Sequence, residues 1–453
     1  MKAWFRSRTR FERWFLFACC VFIPAELAAK AVSHTRNYGD FNVQRDFGMR
    51  FLRGVPLYEN GNCFNYMPIS AMYYAPMAML PLPLASLART GSALICLALS
   101  LRWLAEMTRD RARPGAWRGL TVAAIAIVLT SQYLLRDLDD GGPHLIYLAL
   151  ILGSLRCVQK GREGWGAAGF GLAIALKMTP GLFLPYFAWK RRWRLAGLTA
   201  GATAAWIVLP ALWMGPASWW KYQGEWNAVA FNVFSDRVDK ARADNEVRVQ
   251  NQSLKPAVAR LLVAYPPGHP LKLDNRADVA FANIRPEVAN RVGTLAGLAL
   301  LGSLALWSRR RFIGPDDPAW TIEVAALLIA MPLLSPVTWM QHLAFLLPAV
   351  YLLVAEHRAF RPLGRPALVA LGLYGLATVG LNRGIIGREA SLLLFSFHVH
   401  AWAMLVLLAL LMRRRPTSTI ATPATAPTPA PAVGATIRGP HVFGHQAPDR
   451  RGR

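Results

Sequence analysis

Asp40 stands in a short polar stretch, Tyr38-Gly39-Asp40-Phe41, just after the first long apolar run of the chain. A carboxylate held at a membrane edge among aromatic and apolar residues binds its proton more tightly, and it can then act as a general base toward a hydroxyl group. A solvated loop residue, or the N-cap of a short helix that begins at Phe41, is the alternative interpretation. Asp40 is therefore a candidate base, with the capping role left open.

Lys177 is the second candidate, because it lies deep within an apolar segment, 165–189. An ionisable side chain in such a segment is energetically expensive and tends to mark a functional or paired site. A lipid phosphate would be a natural partner for its ammonium group. The alternatives are a lysine that extends toward the cytoplasmic headgroups or one that pairs with a carboxylate.

His342 and Arg260 are weaker candidates. His342 falls at the outer end of a predicted span, where it could orient Asp40, bind phosphate, or simply donate to a backbone carbonyl. Arg260 lies in a predicted outer loop, where it could bind phosphate or be an ordinary surface charge.

An acidic cluster follows the third predicted span and comprises Asp137, Asp139 and Asp140. Three neighbouring carboxylates could bind a cation. A capped turn before Pro143 explains them equally well. Both interpretations remain open at the level of the sequence.

The composition places these residues in a membrane protein. Of the 453 residues, 54% are apolar and only 17% are charged, which is too hydrophobic for an ordinary soluble chain. The net charge of +26 arises from short basic clusters between long apolar runs, so it indicates membrane topology and not a nucleic-acid-binding surface. We expect a bacterial inner-membrane location, with the lipid bilayer as a partner and no nucleic acid.

Apolar runs of about 20 residues predict an all-α polytopic bundle of about ten spanning helices. The spans are predicted at 14–32, 82–107, 118–135, 143–158, 195–214, 290–308, 319–334, 340–356, 366–381 and 390–412. The basic clusters then all face the cytoplasm, and both termini lie inside. Residues 1–415 form the membrane domain, with outer loops 33–81 and 215–289. The first loop favours short interfacial helices, and the second is hydrophilic and charged in its middle. The Pro/Thr/Ala-rich basic tail 416–453 is predicted to be disordered.

Segment 165–189 does not fit a simple span. It carries basic clusters at both ends and a Thr179-Pro180-Gly181 break in its middle. This pattern favours a hairpin that dips into the membrane from the cytoplasm. The alternative, one kinked span, would invert the topology of everything downstream.

Several short motifs follow one another along the chain. The first outer loop contains Gly39-Asp40-Phe41, Gly54-Val55-Pro56-Leu57-Tyr58 and Asn65-Tyr66-Met67-Pro68. The later motifs are Leu176-Lys177-Met178-Thr179-Pro180 with Trp189-Lys190-Arg191-Arg192-Trp193, Asn251-Gln252-Ser253-Leu254 with Arg260, and Leu334-Ser335-Pro336 with Trp339 and Gln341-His342. In this order the motifs resemble those of the family-87 glycosyltransferases.

The resemblance implies a GT-C membrane glycosyltransferase that works on the extracytoplasmic face with a polyprenyl-phosphate sugar as donor. Mannosyl and arabinofuranosyl transfer to a hydroxyl of a lipid or glycan acceptor are the reactions it suggests, with no nucleotide sugar. We therefore expect no cofactor and no metal ion. The catalytic residues would be Asp40, as the base of an inverting displacement, and His342. The substrate-binding residues would be Lys177, Arg260, Asn251, Gln252 and Tyr66.

Two other functions fit a polytopic bundle with an intramembrane charge. A transporter or flippase of a lipid-linked sugar would commonly show paired broken segments in its two halves, whereas this sequence shows one clear break, near Pro180. A non-catalytic scaffold is the other alternative, because one aspartate is not a complete mechanism.

Overall fold

The computed structural model describes residues 9–33, 39–58, 66–109, 119–231, 249–264, 277–312, 314, 317–360 and 362–414. Helices and connecting loops make up this described part, in which no strand occurs. The all-α architecture expected from the sequence is confirmed. The tail predicted at 416–453 lies outside the described residues.

Eighteen α-helices can be numbered in chain order through the described part. They are α1 (Arg10–Ser33), α2 (Gly39–Arg53), α3 (Pro68–Ala78), α4 (Leu82–Arg109), α5 (Gly119–Asp140), α6 (His144–Gln159), α7 (Glu163–Leu176), α8 (Phe183–Trp189), α9 (Trp193–Val208), α10 (Ala211–Met214), α11 (Pro216–Phe231), α12 (Leu254–Leu262), α13 (Pro286–Trp307), α14 (Ala319–Leu334), α15 (Leu347–Ala355), α16 (Arg365–Gly375), α17 (Arg383–Ser396) and α18 (Val399–Met412). Short 3-10 helices at Thr179–Leu182 and Met340–Leu346 precede α8 and α15.

Four helical segments of the described residues are long and apolar enough to cross a membrane: α4, α5, α9 with α10, and α13. They match the predicted spans 82–107, 118–135, 195–214 and 290–308. The helical segments Arg365–Gly380 and Arg383–Ser396 are bent by 100° relative to each other. If this pair is one broken span, the described residues contain five such segments. The polytopic class is confirmed, whereas the number of ten spans stays a prediction.

The centre of the bundle is formed by α14 and α15, whose side chains are buried almost all round. A helix that is apolar on every side fits only where neighbours surround it. These two helices therefore fix the short segment between them, 335–346, on which His342 lies.

Segment 165–189 folds back on itself. Arg192, just after α8, donates a hydrogen bond to Glu163, the first residue of α7. One straight helix of that length would separate its ends by roughly 36 Å, at 1.5 Å per residue. The segment therefore has the hairpin geometry that the sequence predicts, with Lys177 at its bend.

The ends of several helices that flank loops predicted to share a face lie together in the described part of the fold. At one end of the bundle, hydrogen bonds join Arg156 to Glu106, Lys190 to the Ser308 carbonyl and Trp307 to the Met412 carbonyl. We call this the Lys190 end. α6 runs from Arg156 at this end to His144, about 18 Å away along the helix, where His144 contacts Lys177. The region around His144 and Lys177, which includes Asp40, is called the Asp40 end.

Candidate active site

Asp40 lies in the first turn of α2, close to the end of α5. Gly39 has φ +33°, and a β-carbon there would lie 3.2 Å from the Asp140 Cα and carbonyl oxygen. A glycine therefore lets the two helices approach closely at this point. Asp40 itself is exposed, and the Gln341 side-chain amide donates a 3.1 Å hydrogen bond to its Oδ2.

The surroundings of Asp40 favour a proton acceptor. Water reaches Asp40 on one side, whereas protein atoms surround its other sides. The resulting loss of hydration is the largest effect on the pKa of Asp40, and it raises that pKa. The hydrogen bond from Gln341 and the charges of Lys177 and Arg136 oppose this rise, whereas the charge of Asp137 adds to it. A carboxylate with a raised pKa is a better base than an ordinary aspartate.

Lys177 occupies the bend between α7 and the 3-10 turn before α8. Its Nζ lies 2.8 Å from His144 Nε2 and 3.3 Å from His342 Nε2. The Ser70 hydroxyl fixes this bend to α3 by donating to the Leu176 carbonyl, at 3.2 Å. The ammonium thus lies at the Asp40 end and does not extend toward the opposite headgroups, although the carboxylates of Asp137 and Asp40 are within electrostatic range.

His144 is held from behind by Asp137, which is fully buried. Asp137 Oδ1 accepts from His144 Nδ1 at 2.8 Å and from the His144 backbone at 3.2 Å, and Oδ2 accepts from the Leu145 backbone at 3.2 Å. These contacts favour the capping interpretation for Asp137, because it satisfies two amides at the start of α6. Arg89 is also fully buried, with Nη2 3.7 Å from Asp137 Oδ2.

His342 faces Lys177, and its ring centroid lies 4.5 Å from that of His144. Gln341, its neighbour in sequence, is the residue that contacts Asp40. The expected orientation of Asp40 by this segment is therefore performed by Gln341 in the structure. His342 instead contacts the Lys177 ammonium, at 3.3 Å.

Asn251 and Gln252 join the second outer loop to residues 336–338. Asn251 accepts from the Thr338 amide at 2.8 Å and donates to the Pro336 carbonyl at 2.9 Å. The Gln252 backbone N–H donates to the Thr338 carbonyl at 2.8 Å, whereas its side-chain amide donates to the carbonyls of Val249 and Phe395. Both residues are buried, and their contacts with residues 336–338 hold the loop that precedes Gln341 and His342.

Tyr66 and Arg260 are the remaining candidates. Burial, together with the nearby charges of Asp40 and Asp137, raises the pKa of Tyr66, which therefore lies close to both carboxylates. Arg260 is buried on α12, within electrostatic range of His398. It is therefore not the exposed surface charge of the alternative interpretation.

Sequence reasoning missed Arg89 and His144 as parts of this site. Arg89 lies inside the predicted span 82–107, and the rule that singled out Lys177, an ionisable residue within an apolar run, applies to it equally. His144 begins an apolar run just after the Gly141-Gly142-Pro143 turn, and nothing in its spacing from Asp137 indicates their contact.

The fold and this site define a polytopic helical membrane protein with an accessible carboxylate and a half-buried ammonium at the same end of the bundle. The model of glycosyltransferase family 87 matches residues 64–336, more than half of the chain. The chain belongs to glycosyltransferase family 87. It is a membrane glycosyltransferase, as the sequence motifs indicate.

Two similar proteins carry the same description, polyprenol-phosphate-mannose-dependent alpha-(1-2)-phosphatidylinositol mannoside mannosyltransferase. The Mycolicibacterium smegmatis protein is 28% identical over 74% of this chain and 73% of its own length. The Mycobacterium tuberculosis protein is 27% identical over 79% of this chain and 78% of its own. No solved structure matches the chain.

Proposed function

We propose that the protein transfers a sugar, with mannose as the first candidate, from a polyprenyl phosphate to a hydroxyl group of a lipid or glycan. The observation that carries this proposal is that Asp40 and Lys177 lie at one site. The carboxylate is accessible and contacts Gln341 at 3.1 Å, and the half-buried ammonium contacts the next residue, His342, at 3.3 Å.

In the proposed reaction Asp40 takes the proton of the acceptor hydroxyl. The oxygen then attacks the anomeric carbon of the donor as the bond from that carbon to the phosphate oxygen breaks. The configuration at the anomeric carbon is inverted, because attack and departure occur on opposite faces. The products are the glycoside and the polyprenyl phosphate.

Lys177 would bind the donor phosphate through its ammonium group. His342 lies 3.3 Å from the same ammonium and would help to keep it in place. We propose that the Asp40 end faces the extracytoplasmic side, since the described basic residues Lys160, Arg192 and Arg310 lie at the Lys190 end.

The donor and acceptor classes are supported by the descriptions of the relatives. Both are named for polyprenol-phosphate mannose as donor and for phosphatidylinositol mannosides as acceptors. These compounds are therefore the first to test, followed by polyprenyl-phosphate arabinofuranose and by other lipid and glycan hydroxyl groups.

Purified Asp40→Asn protein tests the proposal. Asparagine keeps the shape of aspartate but removes the basic oxygen, so the rate of sugar transfer should fall by roughly a hundredfold or more while donor binding survives. Asp46→Asn is the matched control, because Asp46 is an exposed carboxylate on the same helix that pairs with Arg50 at 2.9 Å. Near-normal turnover in Asp40→Asn, or an equal loss in Asp46→Asn, would contradict the role of Asp40.

A further inference from the structure

Four ionisable side chains form a continuous line from the N-terminal part of α4 to the bend of the hairpin. Arg89 contacts Asp137, Asp137 contacts His144, and His144 contacts Lys177, with separations of 3.7, 2.8 and 2.8 Å. The first two residues are fully buried. Buried ions are costly to desolvate, so this line needs an explanation beyond packing.

We propose that Asp137 and His144 are positioning residues that hold the Lys177 ammonium toward the phosphate of the sugar donor, with Arg89 as the counter-ion of Asp137. The inference rests on the proposed function, because it assumes that Lys177 binds that phosphate. It adds residues that act through Lys177 and do not touch the substrate.

The first step of the argument concerns the tautomer of His144. Asp137 Oδ1 lies 2.8 Å from Nδ1, and a carboxylate only accepts hydrogen bonds, so Nδ1 must carry a proton. A neutral imidazole then presents a lone pair at Nε2, the atom that faces Lys177 at 2.8 Å. Asp137 thereby sets His144 as an acceptor for the ammonium.

The second step counts the hydrogens of the ammonium. Lys177 Nζ has three N–H donors, and within the described part of the chain its hydrogen-bond contacts are His144 Nε2 and His342 Nε2. Neither imidazole is an anion, so the positive charge is held in place without being neutralised by direct contact. The remaining donor and the charge are available for a phosphate oxygen.

The third step concerns Arg89. Among the described residues none of its three guanidinium nitrogens has a hydrogen-bond acceptor, and Asp137 is its ion-pair partner. A helix cap alone requires neither a buried arginine nor a histidine beside it. A buried cation does favour the ionised form of Asp137, which is the form that holds His144 in the required tautomer.

Steady-state kinetics with polyprenyl-phosphate mannose separates positioning from catalysis. In Asp137→Asn one carboxylate oxygen becomes an amide that donates, so it cannot accept from both the His144 ring and the Leu145 amide. We expect the KM for the donor to rise by roughly 10- to 100-fold while kcat at saturating donor changes only a few-fold. Asp139→Asn, an exposed neighbour on the same helix, should leave both values unchanged.

His144 variants keep the test usable if Asp137→Asn does not fold. His144→Gln retains an acceptor near the position of Nε2, whereas His144→Leu removes it. We expect donor KM to be partly restored in His144→Gln relative to His144→Leu. Equal values of donor KM in these two folded variants would overturn the positioning role.

A double variant distinguishes this inference from the proposed function. If Asp137 acts through Lys177, adding Asp137→Asn to Lys177→Met should raise donor KM no further than Lys177→Met alone. Fully additive effects would mean that Asp137 only stabilises the fold, and the inference would fail while the proposed function stands. An unchanged donor KM in Lys177→Met would instead remove the donor role of Lys177, and the inference with it.

Discussion

Gly142→Ala perturbs the contact between Asp137 and His144 without changing any ionisable group. A β-carbon at Gly142 would lie 2.4 Å from Asp137 Oδ1 and 3.0 Å from His144 Nδ1. The φ of this glycine is outside the left-handed region, so alanine meets no backbone strain there. The added methyl group therefore acts on Asp137 Oδ1 and on the two hydrogen bonds that this oxygen accepts from the His144 ring and backbone.

The expected size of the effect follows from these distances. Ordinary contact with a β-carbon begins at 3.4 Å, so Oδ1 must move by 1.0 Å (3.4 minus 2.4), which breaks the 2.8 Å bond to the ring. A hydrogen bond to a charged group contributes about 1.5–3 kcal/mol. If its whole contribution reaches Lys177, donor affinity falls roughly 10- to 150-fold, and this range is an upper limit because Oδ2 keeps the Leu145 amide.

The assay is donor KM and kcat for the purified protein in lipid nanodiscs, together with its thermal unfolding temperature. Gly91→Ala is the control, because a β-carbon there meets nothing within 4 Å in the described structure. We expect Gly142→Ala to raise donor KM and leave kcat within a few-fold of the parent protein. A folded Gly142→Ala protein with the parent KM would refute the reasoning, since the hydrogen bond would then not matter for donor binding.

Two further predictions concern acidity and stability. Sugar transfer should be lost toward acid pH with a midpoint above the usual aspartate range, because the raised pKa of Asp40 leaves this carboxylate protonated below that point. Gln341→Leu removes a hydrogen bond that lowers the pKa of Asp40, so it should move the acid limb to higher pH. A pH profile of kcat/KM that does not move in Gln341→Leu would assign the limb to another group. Lys190→Met should lower the free energy of unfolding by about 3–5 kcal/mol, because it leaves the buried Glu323 carboxylate without its cation. Lys160→Met removes a half-exposed partner 4.0 Å from Glu106, so it should change the free energy of unfolding by at most about 1 kcal/mol. Equal shifts of the thermal midpoint in the two variants would contradict this difference.

The bend at Lys177 could be predicted because local chemistry determines it. Pro180 lacks a backbone N–H and cannot continue the ladder of a helix, so the break is visible in the sequence. The contact between Glu163 and Arg192 that closes the hairpin is a tertiary contact. In the sequence, only the basic clusters at both ends of segment 165–189 indicated that its ends lie together.

The number of spans was harder to predict, because hydropathy measures how apolar a segment is and not whether it is one continuous helix. Segment 340–356 is apolar throughout, yet it begins as a 3-10 helix over Met340–Leu346 before α15. At the predicted span 143–158 the structure has α6, a helix of only 16 residues, His144–Gln159. Such segments can be buried by neighbouring helices in place of lipid.

The site was predictable where a residue stands out from its local sequence. Asp40 and Lys177 do so, one at the edge of an apolar run and the other within one. Asp137 and His144 lie on different helices, seven residues apart with a turn between them, so helix periodicity does not predict their contact. Their contact depends on the path of residues 141–143, and so the partner of Lys177 could be found only in three dimensions.

Each end of the bundle contains a lysine within the fold, and the two lysines differ in their partners. This contrast supports a structural role for Lys190 and a ligand-binding role for Lys177. Lys190 donates to the carbonyls of Ser308 and Arg310 and to the Glu323 carboxylate, which uses all three of its hydrogens. A saturated cation with an anionic partner can stabilise the fold but has nothing left for a ligand. Lys177 has two neutral imidazole acceptors instead, so its charge is fixed in position and remains available. An anionic substrate that enters beside Asp40 would therefore meet a held but uncompensated cation, as the binding of a donor phosphate requires.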